Sequence, residues 1–132
     1  MALFRRTLVT ITWLFCICST VIGNYDATIV YKICNGIKFS SSSFYWQSME
    51  SVLQDLENYT PGNGFDYYVQ TTVSGQDCYG HAACNGALSQ EDCFVCLISA
   101  KKDLEDGCPE NTGAQVQLKD CRMRYENHPF TE

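Results

Sequence analysis

Basic residues are scarce in this sequence. Lysine and arginine number nine against fifteen aspartates and glutamates, for a formal net charge of −6 and an isoelectric point near 4.8. A nucleic-acid binder needs a basic footprint to displace phosphate counterions, so that class is excluded. Histidines are fewer still, only His81 and His128. Neither stands in a motif that orients a nucleophile, and no cue pairs two acids across a cleft, so the chain is read as a non-enzyme. Beyond residue 22 there is no apolar run long enough to span a bilayer. Repeats, linkers and low-complexity stretches are also missing, apart from Ser40–Ser43. With 45% hydrophobic and 13% aromatic residues, the chain is too apolar to be disordered.

Cysteine, by contrast, is abundant. Nine cysteines in 132 residues point to disulfides or metal, depending on compartment. The N-terminus decides between them. Residues 1–23 read as a secretory signal peptide, with Arg5 and Arg6 ahead of an uncharged, mostly apolar run from Leu8 to Ile22. Val21 and Gly23 are small enough for a cleavage site, and the cut is expected after Gly23. The run falls short of the roughly 20 residues of a membrane helix. Residues 24–132 are therefore expected to be one secreted, extracellular (apoplastic) domain with no membrane insertion. Cleavage removes Cys16, Cys18, Arg5 and Arg6. Seven cysteines remain, and seven basic residues face fifteen acids, a net charge of −8. So acidic a domain is unsuited to lysing anionic membranes, which recruit cationic amphipathic helices.

The hydrophobic pattern gives an α+β reading. Ile29-Val30-Tyr31 and Ile33 suggest a strand leading into Cys34. Met49, Val52, Leu53, Leu56 and Tyr59 recur at helical spacing, which predicts a helix over Phe44–Asn58 with the serine run offering caps. Pro61-Gly62-Asn63-Gly64 is a turn. Tyr67–Val73 reads as a strand, Gly75 as its break, and Cys78–Cys84 as another strand. Ser89 with Asp92 fits an N-terminal cap. Cys93, Cys96, Leu97, Ala100 and Leu104 then share one helical face, and Asp106-Gly107 supplies the stop. Gln115–Asp120 alternates with Val116 and Leu118 on one side, and a last strand runs through Tyr125. Two helices against an antiparallel sheet follow from this order.

Cys93-Phe94-Val95-Cys96 has three readings. A redox dithiol wants a thioredoxin-like βαβ context, which is missing. A zinc site wants a second such pair, and His81 and His128 lie at unhelpful spacing, so neither metal nor cofactor is expected. The remaining reading is a disulfide framework, in which two cysteines on one helix face each reach a different partner.

The spacing Cys84-x8-Cys93-x2-Cys96 resembles the signature of the plant stress-antifungal, ginkbilobin-like, cysteine-rich secretory domain. Cys34-Asn35, the Tyr79–Cys84 lead-in, Gly113–Cys121 and Tyr125-Glu126 carry the resemblance across the expected mature chain. It implies two helices on a five-stranded antiparallel sheet. It also implies three bridges, Cys34–Cys108, Cys84–Cys93 and Cys96–Cys121; sequence alone leaves all 15 pairings of six cysteines open. Cys78 is then the odd thiol. It is a buried free cysteine, a bridge to a second copy (a covalent homodimer), or an exchange partner for Cys84.

Ginkbilobin-like members are antifungal lectins that bind mannose, so the resemblance implies a secreted defence lectin acting on fungal cell-wall mannan. Their sugar site falls on Asn35, on position 115 and on Glu126. Position 115 carries Gln where the family pattern has Arg. An amide offers both donor and acceptor to vicinal hydroxyls, a carboxylate accepts, and a guanidinium donates as a fork. Gln115 keeps a donor but loses the charge, and a lost charge-assisted bond costs about 1.5–3 kcal/mol. The alternative reading is thus a non-lectin extracellular interaction module, binding a protein partner, whose sugar site has lapsed at Gln115. The same domain occurs in tandem in receptor-like kinases and plasmodesma-located proteins; with one copy, this chain resembles the single-domain secretory members.

Three further features carry less. Asn58-Tyr59-Thr60 is an N-glycosylation sequon weakened by Pro61. Phe44, Tyr45 and Trp46 suit helix packing better than a sugar-stacking platform. Asp103, Glu105, Asp106 and Glu110 lack the spacing of a calcium loop and read as a solvated helix end.

Overall fold

The computed structural model describes residues 23–132; the expected signal segment, residues 1–23, lies outside them except for Gly23. Strand β1 (Ile29–Cys34) precedes helix α1 (Tyr45–Tyr59). The hairpin β2 (Asp66–Val73) and β3 (Gln76–Cys84) follows, then helix α2 (Gln90–Gly107), β4 (Ala114–Leu118) and β5 (Cys121–Glu126). The strands form one antiparallel sheet in the order β1-β4-β5-β3-β2. This is the α+β architecture that the sequence predicts.

Helix α1 buries Met49, Val52, Leu53 and Leu56, the face read from its spacing. Tyr59 does not join that face. It is exposed and meets Tyr67 edge-on, because the helix ends there and the chain turns away through Thr60. The serine run contributes less than expected. Phe44 occupies the cap position without a side-chain bond, and Ser43 Oγ accepts the Tyr45 N–H at 3.0 Å instead. At α2 the cap is as predicted, with Ser89 Oγ accepting the Asp92 N–H at 3.0 Å. Its inner face, Cys93, Cys96, Leu97, Ala100 and Leu104, is fully buried.

The β2–β3 hairpin turns on Ser74 and Gly75, both left-handed at φ 49° and 78°, the two-residue turn whose twist suits paired strands. Helix α1 lies so close on β3 that a side chain at Gly80 would strike Val52 Cγ1 and come within 3.0 Å of Leu56 Cδ1. Strand β1 is exposed along its whole length, because it borders only β4 and no helix covers it closely.

Three disulfides fasten the layers, with the pairing that the resemblance implies. Cys84–Cys93 and Cys96–Cys121 tie the inner face of α2 to β3 and β5, and Cys34–Cys108 ties β1 to the end of α2. In the chain-entropy account the short Cys84–Cys93 loop contributes about 3 kcal/mol or slightly less, and the Cys34–Cys108 loop about 4 kcal/mol.

Candidate functional site

The sheet has one face under the helices and one open. Along β4 and β5, Ala114, Val116, Leu118, Cys121, Met123 and Tyr125 point to the core. Their neighbours Gln115, Gln117, Arg122, Arg124 and Glu126 therefore share the open face.

Asn35 stands one residue past β1, where its N–H donates to Gly113 O at 3.0 Å. Its side chain is shaped locally. Oδ1 accepts the Ile37 N–H at 3.0 Å, an Asx turn that Gly36 allows at φ 77°, and Nδ2 donates to Thr112 Oγ1 at 2.9 Å. One Nδ2 hydrogen is left over. Glu126 ends β5 and is largely buried. Its Oε1 accepts from Arg124 Nε at 3.2 Å, and Oε2 lies 3.5 Å from His128 Nε2.

These two side chains converge over Gly113. A Cβ there would collide with Glu126 Oε2 and lie 3.0 Å from Asn35 Nδ2. Gly113 is therefore required by close approach, since its own backbone angle is ordinary. Gln115 lies two residues further along β4, opposite Ile33 on one side and Arg124 on the other. It borders a shallow depression with Tyr31, Arg122, Arg124 and Glu132. Asn35 and Glu126 thus flank Gly113 without bonding each other, while Gln115 faces the same surface one step away.

Arg124 is the residue that the sequence reading leaves out of the site, although it expects Arg122 or Arg124 as a neighbour of Glu126. It is the cross-strand partner of Gln115, and its guanidinium joins Glu126 to Glu132 through Nη1 at 3.3 Å. The ring of Phe130 lies beneath it, 4.2 Å from Cζ. The alternation of β5 places Arg124 on the face of Glu126, a signal present in the sequence. The register that sets it against Gln115 is not readable there.

The last residues fold back over this face. Glu132 reaches Arg122, Arg124 and His81, the last at 2.6 Å from Nδ1. His81 Nε2 is 2.6 Å from Asp66 Oδ1, and Tyr68 stacks on the ring at 4.1 Å between centroids. His81 is almost wholly buried between two carboxylates. Among the described residues no group of three or more His, Cys, Asp or Glu is placed to hold a metal.

Cys78 is buried in the core. The Tyr45 hydroxyl donates to Thr112 O at 2.5 Å and lies 3.5 Å from Cys78 Sγ. Burial pushes the thiol up to about 12. A bridge to a second copy would need Sγ at the surface, so the structure opposes the covalent-dimer expectation and fits the buried free cysteine. At the sequon, Asn58 is exposed, but Thr60 is fully buried and its Oγ1 finds no partner. Of the aromatic trio, Tyr45 packs inside, whereas Phe44 and Trp46 are about half exposed.

A disulfide-stapled α+β domain, with a polar constellation on the open face of its sheet, is the class that these features define. The family profile described as salt stress response/antifungal matches residues 33–128, and the chain belongs to that family. Antifungal protein ginkbilobin-like protein 1 of Picea glauca is 35% identical over 107 residues, 80% of this chain and 76% of the relative. Antifungal protein ginkbilobin-2 of Ginkgo biloba is 34% identical over 107 residues, 80% of each. Among solved structures, the tandem DUF26 ectodomain of the Arabidopsis thaliana cysteine-rich receptor-like protein PDLP5 superposes with a TM-score of 0.72 at 25% identity. That match covers 78% of this chain and 51% of the ectodomain, so the chain spans about half of the tandem structure.

Proposed function

We propose that this protein is a secreted, extracellular plant defence domain that acts by binding and not by catalysis. Its ligand is mannose-type carbohydrate of fungal cell walls. The antifungal proteins among its relatives and the ectodomains that share its fold support the extracellular defence role. No helix among the described residues is long and apolar enough to cross a membrane.

The observation that carries the sugar reading is the convergence of Asn35 Nδ2 and Glu126 Oε2 over Gly113. An exposed amide donor beside a largely buried carboxylate at the edge of the open face suits a pair of vicinal hydroxyls. Gln115 extends the row with a second amide. Arg124 supplies the positive charge that Gln115 lacks, from the opposite strand. Its guanidinium holds the Glu126 carboxylate in place and keeps N–H groups for the ligand.

A glycan array with the wild type and Gln115→Arg tests this. Mannose binding by both supports the lectin. Binding by the Arg variant alone would mean a lapsed site on a sound scaffold, the interaction-module alternative. Binding by neither would end the sugar reading.

A further inference from the structure

A cleft of about 590 Å³ opens on the helix-covered side of the sheet, between the start of α1 and the end of α2. Phe39, Trp46, Met49, Leu53, Leu104 and the ring of Tyr125 give it an apolar lining. Its volume falls within the range of small-molecule sites, roughly 300–1,000 Å³. Leu53 and Leu104 are fully buried at its floor, while Trp46, on the first turn of α1, is half exposed at its mouth. The Tyr125 hydroxyl is already committed to Asn111 O at 2.9 Å, so the phenol presents only its ring.

The charged residues that line the cleft are all acidic. Glu50, Glu105 and Glu110 line it, and no Lys, Arg or His does. Lys101 lies outside the lining and pairs with Glu50 at 2.7 Å, reaching Glu105 only at 3.7 Å. Lys38 is occupied by Pro109 O at 2.5 Å. The last turn of α2 carries no basic residue of its own, although Lys32 of β1 lays its ammonium against Gly107 at that end. Acids around an apolar hole and an indole at its mouth both favour positive charge. Burial holds the Glu105 carboxyl above its ordinary value, Lys101 pulls it down, and the Glu50 charge pushes it up again. An added cation would relieve that repulsion.

We propose that this cleft binds small organic cations: a protonated amine on an aromatic or compact aliphatic body. The body lies on Leu53, Leu104 and Tyr125. The ammonium sits at the rim between the Trp46 ring and the carboxylates of Glu105 and Glu110. The site is separate from the open face of the sheet and independent of mannose binding.

The test uses three probes of one shape: biphenyl-4-ylmethylamine, biphenyl-4-ylmethanol and biphenyl-4-carboxylate. Each is titrated into the full mature protein at low salt, with binding read by calorimetry and by the Trp46 indole resonance. The amine is expected to bind about tenfold tighter than the alcohol, and the carboxylate weakest. Trp46→Ala should weaken the amine about tenfold, and Glu105→Gln with Glu110→Gln should erase the preference for it over the alcohol. Ser41→Trp, a surface change at the mouth, should block all three probes while leaving mannan retention unchanged. Equal affinity of amine and alcohol would overturn the proposal, as would amine binding that Ser41→Trp leaves intact. No response at Trp46 to any probe would overturn it too.

Discussion

Arg124 stands directly across the β4–β5 pair from Gln115, and its Nε lies 3.2 Å from Glu126 Oε1. One guanidinium therefore serves the carboxylate of the candidate sugar site from the strand next to the one where the family pattern has its arginine. Arg124→Gln is expected to weaken mannan retention by about tenfold or more, the effect of losing one charge-assisted bond. Glu126→Ala should abolish it. Gly113→Ala should do the same by displacing Glu126, and should also cost about 1–3 kcal/mol of stability, because the collision involves a largely buried charged group. Frontal chromatography on mannan and urea unfolding separate the two effects. Unchanged retention of Glu126→Ala would remove that residue from the site.

The register behind this finding marks the limit of what the sequence discloses. Helical spacing discloses Met49, Val52, Leu53 and Leu56, and Ser89 announces its own cap, because both signals are local. Tyr59 breaks the pattern because burial depends on where the chain leaves the helix. Asn35 and Glu126 are 91 positions apart in sequence, and only the β1-β4-β5 strand order brings them together over Gly113. The fold-back of Glu132 onto His81 has no periodicity at all, so composition and spacing are silent about it.

His81 links that final segment to the sheet. Its imidazole lies between Asp66 and Glu132, both at 2.6 Å, and Tyr68 covers its face. His81→Ala is expected to lower stability by about 1–3 kcal/mol, since it opens a cavity and strips two acids of their partner. The residues after Glu126 should then become susceptible to protease. Urea unfolding with limited proteolysis reads both effects; a stability change under about 0.5 kcal/mol would show that the clamp holds nothing.

Cys78 gives a chemical prediction. With its thiol buried and raised to about 12, it should resist iodoacetamide at pH 8 in the native protein and react at once in denaturant. Non-reducing electrophoresis of secreted protein should give one monomer band. A dimer that reductant dissolves would contradict the buried placement.

The Lys101 cluster sets a pH dependence with two opposite signs. Burial pushes the Glu50 carboxyl up, but the hydrogen bond and charge of Lys101 overcome it and leave it below its ordinary value. Glu50 therefore stabilises the fold at neutral pH, and that contribution is lost as pH falls through its lowered value. Burial leaves Glu57 and Glu105 above their ordinary values. Their contribution favours the fold while they are protonated and is lost as pH rises through the raised values. Glu105→Gln should therefore raise Tm at pH 7 and leave it near wild type at pH 4, whereas Lys101→Met should lower it at pH 7. Equal shifts at the two pH values would refute this assignment.

The most direct test of the sugar site is a mannose titration of the ¹⁵N-labelled mature protein. Saturable shifts are expected for the Asn35 side-chain amide, the Gly113 N–H and the Gln115 side-chain amide, all lost in Glu126→Ala. Shifts confined to other parts of the surface, or none at any mannose concentration, would contradict the sugar reading.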